Sequence, residues 1–198
     1  MYVKSLIFLS SAACMTLASC GIIGNYSAHG EYAFRRAESG TDPTRNVNAG
    51  HWDVPAGLDG PRKIVVDTTL QKASYYISGR LVGTSTVSSG KAGHGTPKGT
   101  FRVLAKDEDH ISSTYGSIVD AAGNTLVGDY KRGQHIPAGG RYQGAPMNFG
   151  MQLTSGGIWM HEGLVTAAPE SHGCIRLPRE MAKIFFENTP VGTPVIIK

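Results

Sequence analysis

Glycine and proline interrupt this chain so often that long regular elements have little room: there are 26 glycines and 10 prolines among 198 residues. Gly weakens helix interiors and Pro breaks them, so turns and short strands are expected rather than a helix bundle. Between the breaks lie β-branched and aromatic runs bounded by Gly and polar clusters, which read as strands. They fall at residues 63–67, 73–77, 81–87, 99–104, 156–160 and 193–197. Pro178 opens one helix through Asn188, because Pro suits a first helical turn. Met181, Ile184 and Phe185 recur there at i, i+3 and i+4 and turn one face to the core. The expected fold class is α+β and strand-rich, a small β-sandwich or barrel-like domain with one short late helix. Hydrophobic residues at 40% suffice for a core, and charged residues at 17% exclude a charge-rich disordered chain.

Residues 1–20 read as an address label. Lys4 precedes the apolar stretches Leu6–Leu9 and Ala12–Leu17, too short for a membrane span. Leu17-Ala18-Ser19-Cys20-Gly21 resembles the bacterial lipobox, in which cleavage precedes a Cys that becomes acylated. That resemblance implies a lipid anchor on Cys20, each buried CH₂ contributing about 0.8 kcal/mol. The alternative is an ordinary signal peptide with a coincidental Cys. Gly21, in a position where lipoproteins kept at the inner membrane often carry Asp, points to the outer membrane, facing the periplasm. Residues 21–61 lack periodicity and read as a flexible tether, leaving residues 62–198 as the folded domain. Within it, residues 105–148 form a long insertion, expected to be a lid or a cleft wall. The net charge is +4, but its basic residues are scattered, so no nucleic-acid stripe is expected.

Cys14 lies in the leader and Cys20 at its end, so Cys174 is the single thiol of the body. Exported proteins usually pair their thiols or avoid them, which makes a lone Cys either a core accident or a nucleophile. Met160-His161-Glu162-Gly163 and Ser171-His172-Gly173-Cys174-Ile175-Arg176 place two imidazoles close to it in sequence. An imidazole can take the thiol proton and form a thiolate–imidazolium pair. His161 ends a predicted strand and can be aimed from it. His172 reaches the sulfur only if Gly173 turns the chain sharply. The amides of Gly173 and Cys174 can face a developing oxyanion. A zinc site of Cys174, His161 and His172 is an alternative, although zinc-finger spacings are absent. A buried structural Cys is another.

Ser171-His172-Gly173-Cys174-Ile175-Arg176, with His161 upstream, resembles the signature of the L,D-transpeptidase catalytic domain, the YkuD type. Ile64-Val65-Val66-Asp67 with Gln71 and Tyr75-Tyr76, Thr96-Pro97-Lys98-Gly99-Thr100-Phe101, Ser113-Thr114-Tyr115-Gly116 and Ala145-Pro146-Met147 are similar to further landmarks of that family. The resemblance implies peptidoglycan cross-linking. Cys174 is the nucleophile toward the carbonyl of stem position three, terminal D-Ala leaves, and an amine acceptor resolves the thioester. His161 is general base and then acid, oriented by a backbone carbonyl for which Glu162 is the candidate. By the same resemblance His172 and Gly173 shape the loop and the oxyanion site, Ser171 meets substrate, and Arg176 either fixes the loop or meets a substrate carboxylate; a surface ion pair is the alternative for Arg176. Partners are donor and acceptor stem peptides and, through Cys20, the membrane; no cofactor or metal is implied. Two other functions remain open: an L,D-carboxypeptidase or hydrolase using water, and an inactive wall-binding lipoprotein. Thr96-Pro97-Lys98-Gly99 reads as turn architecture lining the cleft, and Trp159 as core packing.

Overall fold

The computed structural model describes residues 31–33 and 50–198; the leader and Cys20 lie outside the described residues. The order is β1 (Glu31–Ala33), β2 (Gly50–Asp53), β3 (Arg62–Asp67), β4 (Lys72–Ile77), β5 (Arg80–Thr86), β6 (Gly99–Arg102), β7 (Ala105–Asp107), β8 (Ile111–Val119), β9 (Thr125–Lys131), β10 (Arg141–Pro146), β11 (Gly150–Gln152), β12 (Trp159–Glu162), β13 (Ile175–Leu177), α1 (Arg179–Asn188) and β14 (Pro194–Ile197). They form a seven-stranded sheet β1-β2-β5-β4-β3-β14-β6, a four-stranded sheet β13-β12-β11-β7 and a three-stranded sheet β10-β8-β9. The protein is α+β and strand-rich, with one short helix among the described residues, late in the chain.

Alternation explains the large sheet. Ala73, Tyr75 and Ile77 are buried while Lys72 is exposed and Ser74 and Tyr76 are half-buried, the period-2 pattern of a strand with one face on a core. Two turns hold this part in register. Asp67 Oδ1 accepts from the amides of Thr69 (3.0 Å) and Leu70 (2.9 Å), an Asx-type turn. Ser78 and Gly79 both have positive φ, 49° and 81°, and join Ile77 to its partner Arg80 as a two-residue hairpin of the type I′ kind. The core is continuous between the seven- and four-stranded sheets, running through Ile64, Val66, Val195, Met151, Met160, Ile175 and Leu177. The helix adds Met181 and Phe185, and Phe185 packs edge-on to Tyr75 with ring centroids 5.1 Å apart. Pro178 precedes the helix as expected.

Two expectations change. The flexible tether assigned to 21–61 contains strands at Glu31–Ala33 and Gly50–Asp53 that extend the main sheet. Trp52 is buried in the core, 5.0 Å from Tyr75 between ring centroids, because its strand partner Gly83 leaves room for the indole. The insertion at 105–148, expected as a lid or cleft wall, does line the cleft, but it is built mainly of strands rather than loop.

Candidate active site

Sheet register assembles the site. β12 and β13 run parallel, with Met160 opposite Ile175, His161 opposite Arg176 and Glu162 opposite Leu177. Parallel neighbours need a crossover of about a dozen residues, and residues 163–174 supply it. Because side chains alternate, Met160, Ile175 and Leu177 enter the core, each fully buried. The alternate positions Trp159, His161, Cys174 and Arg176 line a cleft of about 550 Å³. The three-stranded sheet and its flank contribute Ser112–Tyr115, Lys131 and Ala145–Met147 to the opposite wall.

A backbone platform holds the Cys loop from below. Ser88 exchanges hydrogen bonds with the backbone of Arg176, donating at 3.1 Å and accepting at 3.0 Å. The Ser89 carbonyl accepts from Glu170 (2.8 Å) and Ser171 (3.0 Å). Buried Gln71 ties this platform to the β3–β4 turn: its Oε1 accepts from Ser89 N–H at 2.8 Å, its Nε2 donates to Ser89 Oγ at 2.7 Å, and the same amide donates to the Thr68 carbonyl. Thr96 Oγ1 accepts from Gly90 N–H and donates to the Gly173 carbonyl, both at 2.8 Å. Thr96 is therefore part of the architecture, as its turn chemistry suggested.

His161 is buried, and its Nδ1 lies 2.6 Å from the Glu162 carbonyl oxygen. A carbonyl only accepts, so Nδ1 carries the hydrogen and Nε2 keeps its lone pair. Burial lowers its pKa to about 4, partly opposed by that hydrogen bond, so the ring is neutral near pH 7. The Glu162 carboxylate turns elsewhere, toward Arg179 (2.7 Å) and Asn148 (3.1 Å). Cys174 is a free, half-buried thiol whose sulfur contacts the Gly157 carbonyl at 3.6 Å. Burial pushes its pKa up, while the backbone of Trp159 and the charge of Arg176 pull it down. Both shifts are dominated by burial and favour a neutral thiol with a neutral imidazole at rest. The ion pair expected from the sequence is thus not favoured at rest.

The other loop residues take narrower roles. Ser171 was expected to meet substrate, but it is buried and its hydroxyl is used within the loop. It donates to the Cys174 carbonyl at 2.5 Å and accepts from Gly173 N–H at 3.1 Å. That second bond occupies the Gly173 amide, one of the two expected to face an oxyanion. Gly173 has φ 114°, and a Cβ there would lie 2.9 Å from Ile158 Cδ1. The positive φ is what favours glycine here, since Ile158 Cδ1 is the end of a flexible side chain that can move aside. Arg176 lines the cleft with its stem against Gly163, and among the described residues no carboxylate pairs with its guanidinium.

His172 is held away from the base role. Its ring stacks on Tyr115, centroids 4.3 Å apart and planes at 20°, and meets His94 edge-on at 4.7 Å. Its Nε2 lies 3.3 Å from Asp129 Oδ1, and Lys91 reaches Asp129 Oδ2 at 3.4 Å. Asp129 itself adopts φ 52°, uncommon for a residue with a side chain. Sequence reasoning missed Asp129, Lys91 and His94, which no motif links to residue 172. Trp159, read as packing, is buried but also forms cleft surface. Among the described residues no three His, Cys, Asp or Glu side chains converge as a metal-binding group.

A thiol just before β13 and a lone-pair-bearing imidazole on β12 open into one cleft. The sequence model of the L,D-transpeptidase catalytic domain, the YkuD type, matches residues 61–197, and the chain belongs to that family. It is 30% identical over 123 residues to the probable L,D-transpeptidase 3 of Mycobacterium tuberculosis, a match covering 59% of this chain and 39% of the relative. The match therefore spans well under half of that relative's length. An L,D-transpeptidase structure from Mycobacterium smegmatis superposes with a TM-score of 0.54 at 22% identity, covering 76% of this chain and 67% of the other. L,D-transpeptidase 3 of M. tuberculosis in complex with a faropenem-derived adduct gives 0.53 at 22% identity, covering 69% and 60%. At such identities these superpositions establish a shared fold.

Proposed function

We propose that this protein is a peptidoglycan L,D-transpeptidase that forms a thioester on Cys174. The observation that carries the reading is the placement of His161 on β12 and of Cys174 in the loop that leads directly into the parallel strand β13, both lining one cleft, with His161 Nδ1 tied to the Glu162 carbonyl. In the acylation step Cys174 Sγ attacks the carbonyl of stem position three while His161 Nε2 takes the thiol proton. The Cys174 amide faces the developing oxyanion, and a preorganised donor of this kind contributes roughly 3 kcal/mol to transition-state stabilisation. The C–N bond to terminal D-Ala breaks, and His161 returns the proton to the leaving amine. An acceptor amine then attacks the thioester and releases the Cys174 sulfur. Arg176, cationic and without a carboxylate partner among the described residues, is suited to a carboxylate of the stem peptide.

Lipid attachment at Cys20, an outer-membrane anchor and a domain facing the periplasm are part of the same proposal, resting on the lipobox resemblance. Incubation with purified tetrapeptide-bearing muropeptides tests the activity. Release of D-Ala with formation of cross-linked dimers is expected. Release of D-Ala without dimers would make the protein a carboxypeptidase, and absence of both would leave the wall-binding reading.

A further inference from the structure

Besides His161 and His172 the cleft contains a third imidazole, His110, that the pair Cys174 and His161 leaves without a task. His110 precedes β8, lines the cleft, and has a side chain about one quarter exposed. Its Nδ1 lies 3.0 Å from Asp107 Oδ2. Its ring stacks on the Trp159 indole, with centroids 4.0 Å apart and planes at 18°. Its carbonyl accepts from Met147 N–H at 2.7 Å, which ties the loop to the end of β10. With Nδ1 facing a carboxylate, the hydrogen sits there and Nε2 holds the lone pair. Trp159 and His161 share the cleft face of β12, so the stack places this ring beside the catalytic histidine. The charged and titratable groups lining the cleft with His110 are Tyr115 on β8, Lys131 on β9, His161 and Glu162 on β12, His172 and Cys174 in the loop before β13, and Arg176 on β13; Asp107, at the end of β7, faces the ring itself. Only Asp107 is within ion-pairing distance of His110 among the described residues.

The two histidines have opposite surroundings. His161 is buried against a neutral carbonyl, which suits a ring that rests uncharged. His110 is partly solvated, with a carboxylate oxygen 3.0 Å from its Nδ1. An alkylammonium acceptor must lose two protons in all: one to expose its lone pair, and one as the new C–N bond forms. Such amines are almost fully protonated near neutral pH, a lysine-type amine having a pKa of about 10.4.

We propose that His110, oriented by Asp107, accepts the first of these protons and is a catalytic residue of amine transfer rather than of acylation. The inference rests on the thioester reading above. The ammonium gives one proton to His110 Nε2 and becomes a free amine. Its nitrogen forms the C–N bond at the thioester carbonyl, the second proton passes to His161, and the C–S bond breaks. The sulfur then regains that proton from His161, and His110 releases its own to solvent.

The test separates the two half-reactions with His110→Gln and Asp107→Asn. The Cys174 acyl-enzyme is formed from a peptide donor, and its transfer at pH 7 is followed to a simple alkylamine and to methoxyamine. The former is an ammonium at that pH; the latter is already uncharged. Expected for His110→Gln is acylation at the unsubstituted rate, a loss of about 10²-fold in transfer to the alkylamine, and unchanged transfer to methoxyamine. Asp107→Asn is expected to show the same selectivity with a smaller loss. Equal losses toward both amines, or acylation falling together with transfer, would overturn the proposal in favour of a packing role. An unsubstituted acyl-enzyme that yields only to water would overturn it while sparing the thioester reading. Failure of the unsubstituted protein to acylate at all would overturn both.

Discussion

His161→Gln removes the buried neutral imidazole, and its consequence for stability follows from burial. The histidine pKa falls from 6.5 to about 4 in the folded protein, chiefly because burial disfavours the charged ring. In the unfolded chain the ring protonates around pH 6.5, whereas in the native state it resists until about pH 4. The unfolded state therefore binds the proton first, and stability is lost as pH falls through that window. At about 1.4 kcal/mol per pH unit, the drop amounts to about 3 kcal/mol between pH 6.5 and 4. The glutamine side chain of the variant does not titrate, so this part of the pH dependence disappears. Carboxylates titrate in the same range, but they are common to both proteins and cancel in the difference. Urea denaturation of both proteins at several pH values from 7 to 4 measures it. The variant is expected to gain on the unsubstituted protein by about 3 kcal/mol across that range, whatever their offset at pH 7. Parallel stability curves would refute the claim that His161 is buried in its neutral form. The same argument places the acidic limb of the acylation profile near pH 4 rather than 6.5, and stopped-flow acylation across pH checks it.

Three further outcomes are expected. Gly173→Ala forces a side chain onto a backbone at φ 114°, at a cost of about 1–3 kcal/mol; thermal unfolding and acylation should both suffer, and an unchanged melting temperature would contradict the strain argument. His172→Gln should slow acylation while keeping the pH profile of the unsubstituted enzyme, and Asp129→Asn should do the same more weakly, since an ion pair this exposed is worth about 1 kcal/mol or less; loss of the profile in His172→Gln would move the base to residue 172. Cys20→Ala should shift the protein from the membrane pellet to the soluble fraction, and an N-terminus that is not acylated Cys20 in the unsubstituted protein would rule out the lipid anchor.

The parts of the fold that sequence reading anticipated are those where one face is dry and the other wet. Strand β4 and helix α1 bury regular stripes, so their periodicities survive in the residue order. Strand β9 does not, because nearly all its positions face solvent and only Tyr130 is buried. Its sheet therefore reads as a polar insertion, although register and turns order it. Trp52 was hidden for another reason: a single aromatic in a polar stretch carries no period, and its burial depends on Gly83 across the ladder. At the site, residue types marked His161 and Cys174 directly, whereas the direction of their pKa shifts comes chiefly from burial, which the residue order does not encode. The Ser171 bond to Gly173 and the grip of Asp129 on His172 arise from loop geometry and sheet packing, which adjacent letters do not encode. Asp107 and His110 are three residues apart, but their place in the cleft depends on the stack with Trp159 from another strand.

The most direct test of Cys174 as the acylated nucleophile is intact-protein mass spectrometry with peptide mapping after exposure to faropenem, compared with Cys174→Ser. The unsubstituted protein should gain a covalent adduct located on Cys174, with none in the Ser variant, because the hydroxyl ionises far less readily than a thiol of ordinary pKa about 8.5. An adduct retained by the folded Ser variant, or one mapped to any other residue, would contradict the account.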